Sequence, residues 1–297
     1  MAAHTSAEAT GDGITPDLAG GEGVLVTDRL VLDSRKPAAD PLRLAGRLLP
    51  PLVVFILVLV LWQYAVPAAG IQSFQLPTPS EIWSTFVSVH SVVLNYGWFT
   101  FWNEALRGYL IGSAAGFLIA VLAWRFSLVA RGVMPYAVIS NSIPIVAMAP
   151  VAVVLFGFDW QSKAVICAVM CVFPMVVNTY RGLRAVDPLS RELLESYGAG
   201  EWTAFWKLRL PAALPYVFNG LKINTTLAMI GAIIGEFFGS PPEGLGLFIS
   251  NQAGINNYSE TWAGVLVACV IGIVFYGVVL LVERRLTSWH VSYRAGV

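Results

Sequence analysis

Six apolar runs, each near the length of a membrane crossing, constrain this chain more than any other feature. They cover roughly residues 49–66, 104–124, 133–157, 162–181, 212–238 and 261–283. A span needs about 20 apolar residues, because about 30 Å of hydrocarbon is crossed at about 1.5 Å per residue. Hydrocarbon offers no water, so backbone N–H and C=O groups must be satisfied within the protein, and a lone segment achieves this as a helix. The strands of a barrel would be shorter and would alternate apolar with polar residues. Composition agrees: 57% of residues are hydrophobic and 12% charged, where a soluble domain is nearer a quarter charged. The expected fold is all-α and integral to the membrane, with six transmembrane helices.

Formal net charge is zero, which gives no reason to expect a nucleic-acid partner. The placement of basic residues says more. Arg29, Arg35, Lys36, Arg43 and Arg47 precede the first run, and Pro67 to Thr100 holds none. Arg125 and Arg131 follow the second run, and Lys163 stands alone between the third and fourth. Arg181, Arg184, Arg191, Lys207 and Arg209 fill the fourth connection; Ser240 to Glu260 holds no basic residue; Arg284, Arg285 and Arg294 follow the last run. Basic residues mark cytoplasmic loops, so both termini and the fourth connection are expected inside. Residues 1–46, poor in hydrophobic period, are expected as a disordered cytoplasmic tail. The transmembrane domain would be 47–290, with its core at 100–285, and 291–297 a C-terminal tail.

Little here points to chemistry. Cys167 and Cys171 stand four apart on one helix face, but His4, His90 and His290 lie outside the runs. The two thiols read as small apolar residues, and no metal site is expected. A phosphate loop needs Gly directly before its Lys. Lys36, Lys163, Lys207 and Lys222 follow Arg, Ser, Trp and Leu, so any ATPase must be another chain. Gly108, Gly112 and Gly116, and again Gly231, Gly235 and Gly239, are spaced for close helix packing. Polar residues within the runs are more telling. Glu236 is costly in lipid unless it faces a partner or water. Asn141, Ser142 and Pro144 cluster in the third run, and Asn224 and Thr225 in the fifth. Two readings are open: these residues line a solute path or gate, or they bond between helices.

The fourth connection, "VDPLSRELLESYGAGEWTAFWKLRLPAALP", is a charged interruption between greasy runs. Asp187 then Pro188 is a helix start, and Gly198 is placed to end the helix. Leu193, Leu194 and Tyr197 fall on one face. Trp202, Phe205 and Trp206 form an aromatic face suited to the membrane interface. A short, rigidly joined helix of this kind suits docking into a partner's groove.

Glu192, Leu193, Leu194, Gly198, Leu210 and Pro211 stand at the spacing of the EAA loop of ABC importer permeases, which this stretch resembles. Leu193 and Leu194 replace the two alanines of that pattern. "LPTPSEIW", "NSIPIVAMAPVAVVLFG", "VFPMVVNTYRGL", "GEFF" and "EGLGLFI" extend the resemblance over roughly residues 76–290, toward the nitrate, sulfonate, taurine and pyrimidine-precursor branch. It implies a type I importer transmembrane fold in a bacterial inner membrane. The chain would pair with a second permease copy, a homodimer, and two cytoplasmic ABC ATPases would bind ATP and Mg and receive the loop as a coupling helix. An extracytoplasmic binding protein would deliver the solute, either sulfonate-like or akin to a thiamine-pyrimidine precursor or riboflavin. The permease itself performs no catalysis and carries no cofactor. Two rivals are an ion-coupled secondary transporter with Glu236 relaying protons, and an intramembrane enzyme.

Overall fold

A computed structural model of the chain describes residues 41–73, 75–140, 144–239 and 243–287; these are helical apart from short connections, with no strand among them. The chain divides after Leu52. Of the first unit, Met1–Leu52, the described part is the opening of α1 (Pro41–Ala68). The second unit, Val53–Val297, carries the other described helices. The expected tail lies outside the described residues up to residue 40, as do residues 291–297; α1 is already helical at Pro41.

Helix α2 (Pro79–Phe99) starts on a reciprocal cap. The Thr78 hydroxyl accepts from the Glu81 N–H at 3.4 Å, and the Thr78 N–H donates to Glu81 Oε2 at 2.8 Å. Pro79 follows, where its missing N–H costs nothing. The helix then runs through a π-helical turn, Thr100–Ala105, into α3 (Leu106–Arg125), giving 47 continuous helical residues. The sequence reading began a span at residue 104 and took the residues before it as a connection. At about 1.5 Å per residue the helix is about 70 Å long, so only part of it fits within the hydrocarbon.

The third expected span, 133–157, is not one helix. It is divided between α4 (Ser127–Ile139) and α5 (Ile145–Phe156). Pro144 stands before α5 in an extended conformation (φ −69°, ψ 111°). It has no N–H to continue a helix, and its ring would clash with the carbonyl four residues back. Among the described residues, five helical stretches have the length and apolarity to cross a membrane, and α4 and α5 are two shorter apolar helices.

After α6 (Trp160–Arg184) come α7 (Pro188–Ser196) and α8 (Glu201–Ala204). A π-helical turn, Phe205–Arg209, leads from α8 into α9 (Leu210–Glu236). The helix that carries the fifth expected span thus begins at Glu201, upstream of the apolar run read from about 212. The N–H that Pro211 lacks falls beside a turn already out of α register, which softens the interruption. Helices α10 (Leu245–Gly254) and α11 (Tyr258–Leu286) complete the described chain.

Helices α3, α6 and α9 form the core. A Cβ added at Gly108 would lie 2.3 Å from Cys167 Cβ, one at Gly112 2.3 Å from the Ala168 carbonyl oxygen, and one at Gly116 2.5 Å from that of Val172. The backbones of α3 and α6 meet at this depth only because the side chains are absent. Gly231 admits Met170 and Cys167 of α6 onto α9 in the same way. Gly239 does not belong to that ladder: α9 ends at Glu236, and Gly239 has φ +127°. The thiols of Cys167 and Cys171 are buried in the core, Cys167 donating to the Ala228 carbonyl at 3.1 Å. A second cluster joins Val93 of α2, Leu245 and Ile249 of α10 and Val267 of α11.

Candidate functional site

The loop helix α7 is defined at both ends by local chemistry. Asp187 caps it: Oδ2 accepts from the Ser190 N–H at 3.1 Å and from its hydroxyl at 3.0 Å. The Ser190 N–H holds the Asp187 carboxyl below the usual range. At the other end the Ala199 N–H donates to the Leu194 carbonyl and the Gly198 N–H to that of Glu195. These paired bonds, with Gly198 at φ +72°, make a Schellman ending, which satisfies the last carbonyls through one left-handed residue.

Nothing on α7 is buried. Leu189 is 72% exposed, Leu193 56% and Tyr197 79%. At spacing i, i+4, i+8 they form one ridge along the helix. Leu194 is half-buried and Glu192 exposed, so the face expected from Leu193, Leu194 and Tyr197 is turned toward Leu189. An apolar ridge on an otherwise polar helix is what a partner's groove would cover.

The ends of this loop are fixed. Leu183 at the close of α6, Phe205 of the π turn and Ala213 near the start of α9 are buried together, with Trp124 and Leu210 packed on them. Trp202 stacks on Phe205 with ring centroids 5.3 Å apart, and Arg209 donates to the Leu183 carbonyl at 3.3 Å. Leu210 and Pro211, both half-buried, open α9. Both ends of the loop that carries α7 are thus packed against core helices.

Glu236 lies at the opposite end of α9 and is fully buried. Its Oε1 accepts from the Thr100 hydroxyl at 2.7 Å and its Oε2 from the Gly246 N–H. Thr100 Oγ1 in turn accepts from the Leu245 N–H at 3.0 Å. Two N–H groups that open α10 are thus satisfied by α9 and by the π turn before α3, where the dipole of α10 favours the carboxylate. Glu104, from the same π turn, and Lys163 of α6 are also fully buried; Lys163 Nζ donates to the Asp159 carbonyl at 3.1 Å. Sequence reading found Glu236 but not Thr100 or Glu104, and it placed Lys163 in a loop. Their partners come from 136 residues away in the Thr100–Glu236 case, beyond any local window.

Asn224 and Thr225 have no exposed surface. Asn224 Nδ2 donates to Ser113 Oγ and to the Cys171 carbonyl, both at 2.9 Å, tying α9 to α3 and α6. Thr225 donates to the Lys222 carbonyl at 2.7 Å. Pro144 is exposed at the start of α5; Asn141 and Ser142 lie outside the described residues. A further pair escaped the sequence reading: Lys222 Nζ of α9 lies 2.8 Å from Glu283 Oε2 of α11.

Comparison with known proteins agrees with this architecture. The family described as binding-protein-dependent transport system inner membrane component matches residues 108–288. The formylaminopyrimidine transport permease protein ThiX of Halalkalibacterium halodurans is 31% identical over 245 residues, covering 81% of this chain and 96% of that one. The putative aliphatic sulfonates transport permease protein SsuC of Bacillus subtilis is 28% identical over 250 residues, covering 84% and 88%. A solved structure of inward-facing conformations of the MetNI methionine ABC transporter superposes with a TM-score of 0.54 at 22% identity, over 67% of this chain and 98% of that one. That likeness is one of fold.

Proposed function

Because the chain belongs to the binding-protein-dependent transport system inner membrane component family, and is a permease subunit of an ABC importer for a small solute, we propose that α7 is the element through which its ATPase drives it. One observation carries this reading: the capped α7, with no residue buried, presents the apolar ridge Leu189, Leu193 and Tyr197 while the chain on either side is locked into α6 and α9. Glu192, Leu194 and Gly198 complete the docking element, and Leu210-Pro211 carries its motion into α9. ATP and Mg are bound by a separate cytoplasmic subunit. Two copies of the permease and two ATPases make the complex, and an extracytoplasmic binding protein loads it. Both termini face the cytoplasm, in keeping with the basic residues around α7 and after α11.

The solute is a small heterocycle of the aminopyrimidine kind, supported by the similarity to a formylaminopyrimidine permease along 96% of that relative's length. Uptake of labelled formylaminopyrimidine, competed by unlabelled riboflavin or an alkyl sulfonate, tests that assignment.

The coupling role is tested by Gly198→Asp. At φ +72° a side chain is strained by about 1–2 kcal/mol, and no atom lies within 4 Å of the added Cβ to obstruct it otherwise. The variant therefore inserts normally, with the end of α7 distorted and a charge added beside the ridge. The expected result is loss of ATPase co-purification, or ATP hydrolysis without solute uptake. Full ATPase retention with wild-type uptake would remove α7 as the coupling element.

A further inference from the structure

Where α3 and α6 end and the π turn leads into α9, five arginines surround one cavity of about 510 Å³: Arg125, Arg131, Arg184, Arg191 and Arg209. Among the described residues, no acidic side chain lines it. Among the described residues, Arg191 is the one of the five with acidic partners, Glu195 at 2.7 Å and Glu201 at 4.0 Å. Arg125, Arg184 and Arg209 lie against neutral groups, Arg125 5.4 Å from the centre of the Phe126 ring. Arg184 donates to the Tyr180 hydroxyl at 3.0 Å, and Arg209 lies 5.2 Å from the centre of the Trp124 ring. Such contacts orient a guanidinium without neutralising it. Like charges gathered in a concave, partly apolar wall repel one another and focus a positive potential into the space between them. The guanidinium fork fits phosphate oxygens in pairs.

The surface next to the cavity indicates where the phosphate comes from. Phe126, between α3 and α4, and Leu128, in the first turn of α4, are 51% and 82% exposed; they flank Ser127, which lines the cavity, and the Phe126 ring lies 5.4 Å from the Arg125 guanidinium. Apolar side chains beside a basic cavity at the end of apolar helices suit an acyl chain below a headgroup. We propose that this cavity binds a phosphate-bearing anion, and that its source is the headgroup of an anionic phospholipid seated beside α7. The proposal does not depend on which solute is carried or on how α7 meets its ATPase.

The test uses the full chain in detergent, titrated with phosphatidylglycerol and with phosphatidylcholine, and read by native mass spectrometry as bound lipid. The cavity predicts preferential retention of phosphatidylglycerol, weakening as salt rises. Arg131→Gln alters an exposed residue and should weaken that lipid about fivefold; Arg125→Gln, Arg131→Gln and Arg184→Gln combined should weaken it about a hundredfold. The corresponding lysine triple, which keeps the charge, should recover part of the loss and separates binding from misfolding. In a second arm, inorganic phosphate is added and Trp124-dependent fluorescence followed. Phosphate binding without lipid preference would overturn the lipid assignment while keeping the anion site. Equal retention of both lipids with no phosphate response would overturn the site. So would that result accompanied by loss of the ATPase from the triple variant, which would make the cavity a protein-docking surface.

Discussion

The contact between α3 and α6 sets a quantitative test at Gly112. A methyl group there would sit 2.3 Å from the Ala168 carbonyl oxygen and 2.8 Å from both Ala168 Cα and Cys171 Cβ. The first two are backbone atoms, which no side-chain rotation can move aside. Restoring ordinary contact requires α3 and α6 to part by about 1 Å, and overpacking of this kind costs about 1–3 kcal/mol. The neighbouring Ser113 accepts the Asn224 hydrogen bond at 2.9 Å, and stretching that buried bond adds about 1 kcal/mol. Gly112→Ala should therefore destabilise the chain by about 2–4 kcal/mol. The control is Gly132→Ala in α4, where nothing lies within 4 Å and the better helix former gains about 1 kcal/mol. Thermal unfolding of the purified chain, followed by tryptophan fluorescence, should place Gly112→Ala on the order of 10 °C below wild type and Gly132→Ala at or above it. Equal melting of the two variants would refute close backbone packing as the basis of the core.

Glu236→Ala leaves the Thr100 hydroxyl and the Gly246 N–H without their acceptor, at about 1–3 kcal/mol each. Amide exchange in α10 should rise sharply in that variant and much less in Glu236→Gln, which keeps a carbonyl oxygen; equal exchange in the two would show that the carboxylate does not hold α10. In a background lacking Cys269, the exposed thiol, Ser196→Cys should react with an impermeant maleimide only from the cytoplasmic side and Ser91→Cys only from outside; reversal would overturn the orientation.

Local chemistry was legible in the sequence and long-range assembly was not. The caps of α7 were readable because Asp187, Pro188 and Gly198 each act within a few residues. Pro144 was visible within the third run, yet its outcome, two separate helices, depends on whether neighbouring elements restore the lost backbone bonds. Gly231 and Gly235 pack as their spacing suggested, while Gly239 does not, because the helix stops first. Sequence reading passed over Glu104 at the start of an apolar run and took Lys163 as a loop charge. Their burial follows from the π turn and from the start of α6 meeting α9, and neither leaves a mark at fixed spacing. The shift of the α7 ridge from Leu194 to Leu189 has the same origin, since which side of a short helix is covered depends on what lies beneath it.

Solute uptake by proteoliposomes holding the permease, its ATPase and its binding protein tests the central claim most directly, with ATP supplied inside and a protonophore added. Uptake that follows ATP hydrolysis, persists when the proton gradient is dissipated and is lost in Leu193→Asp is the expected result. Uptake that collapses with the protonophore while ATP is maintained, or that is unchanged in Leu193→Asp, would contradict a permease driven through α7.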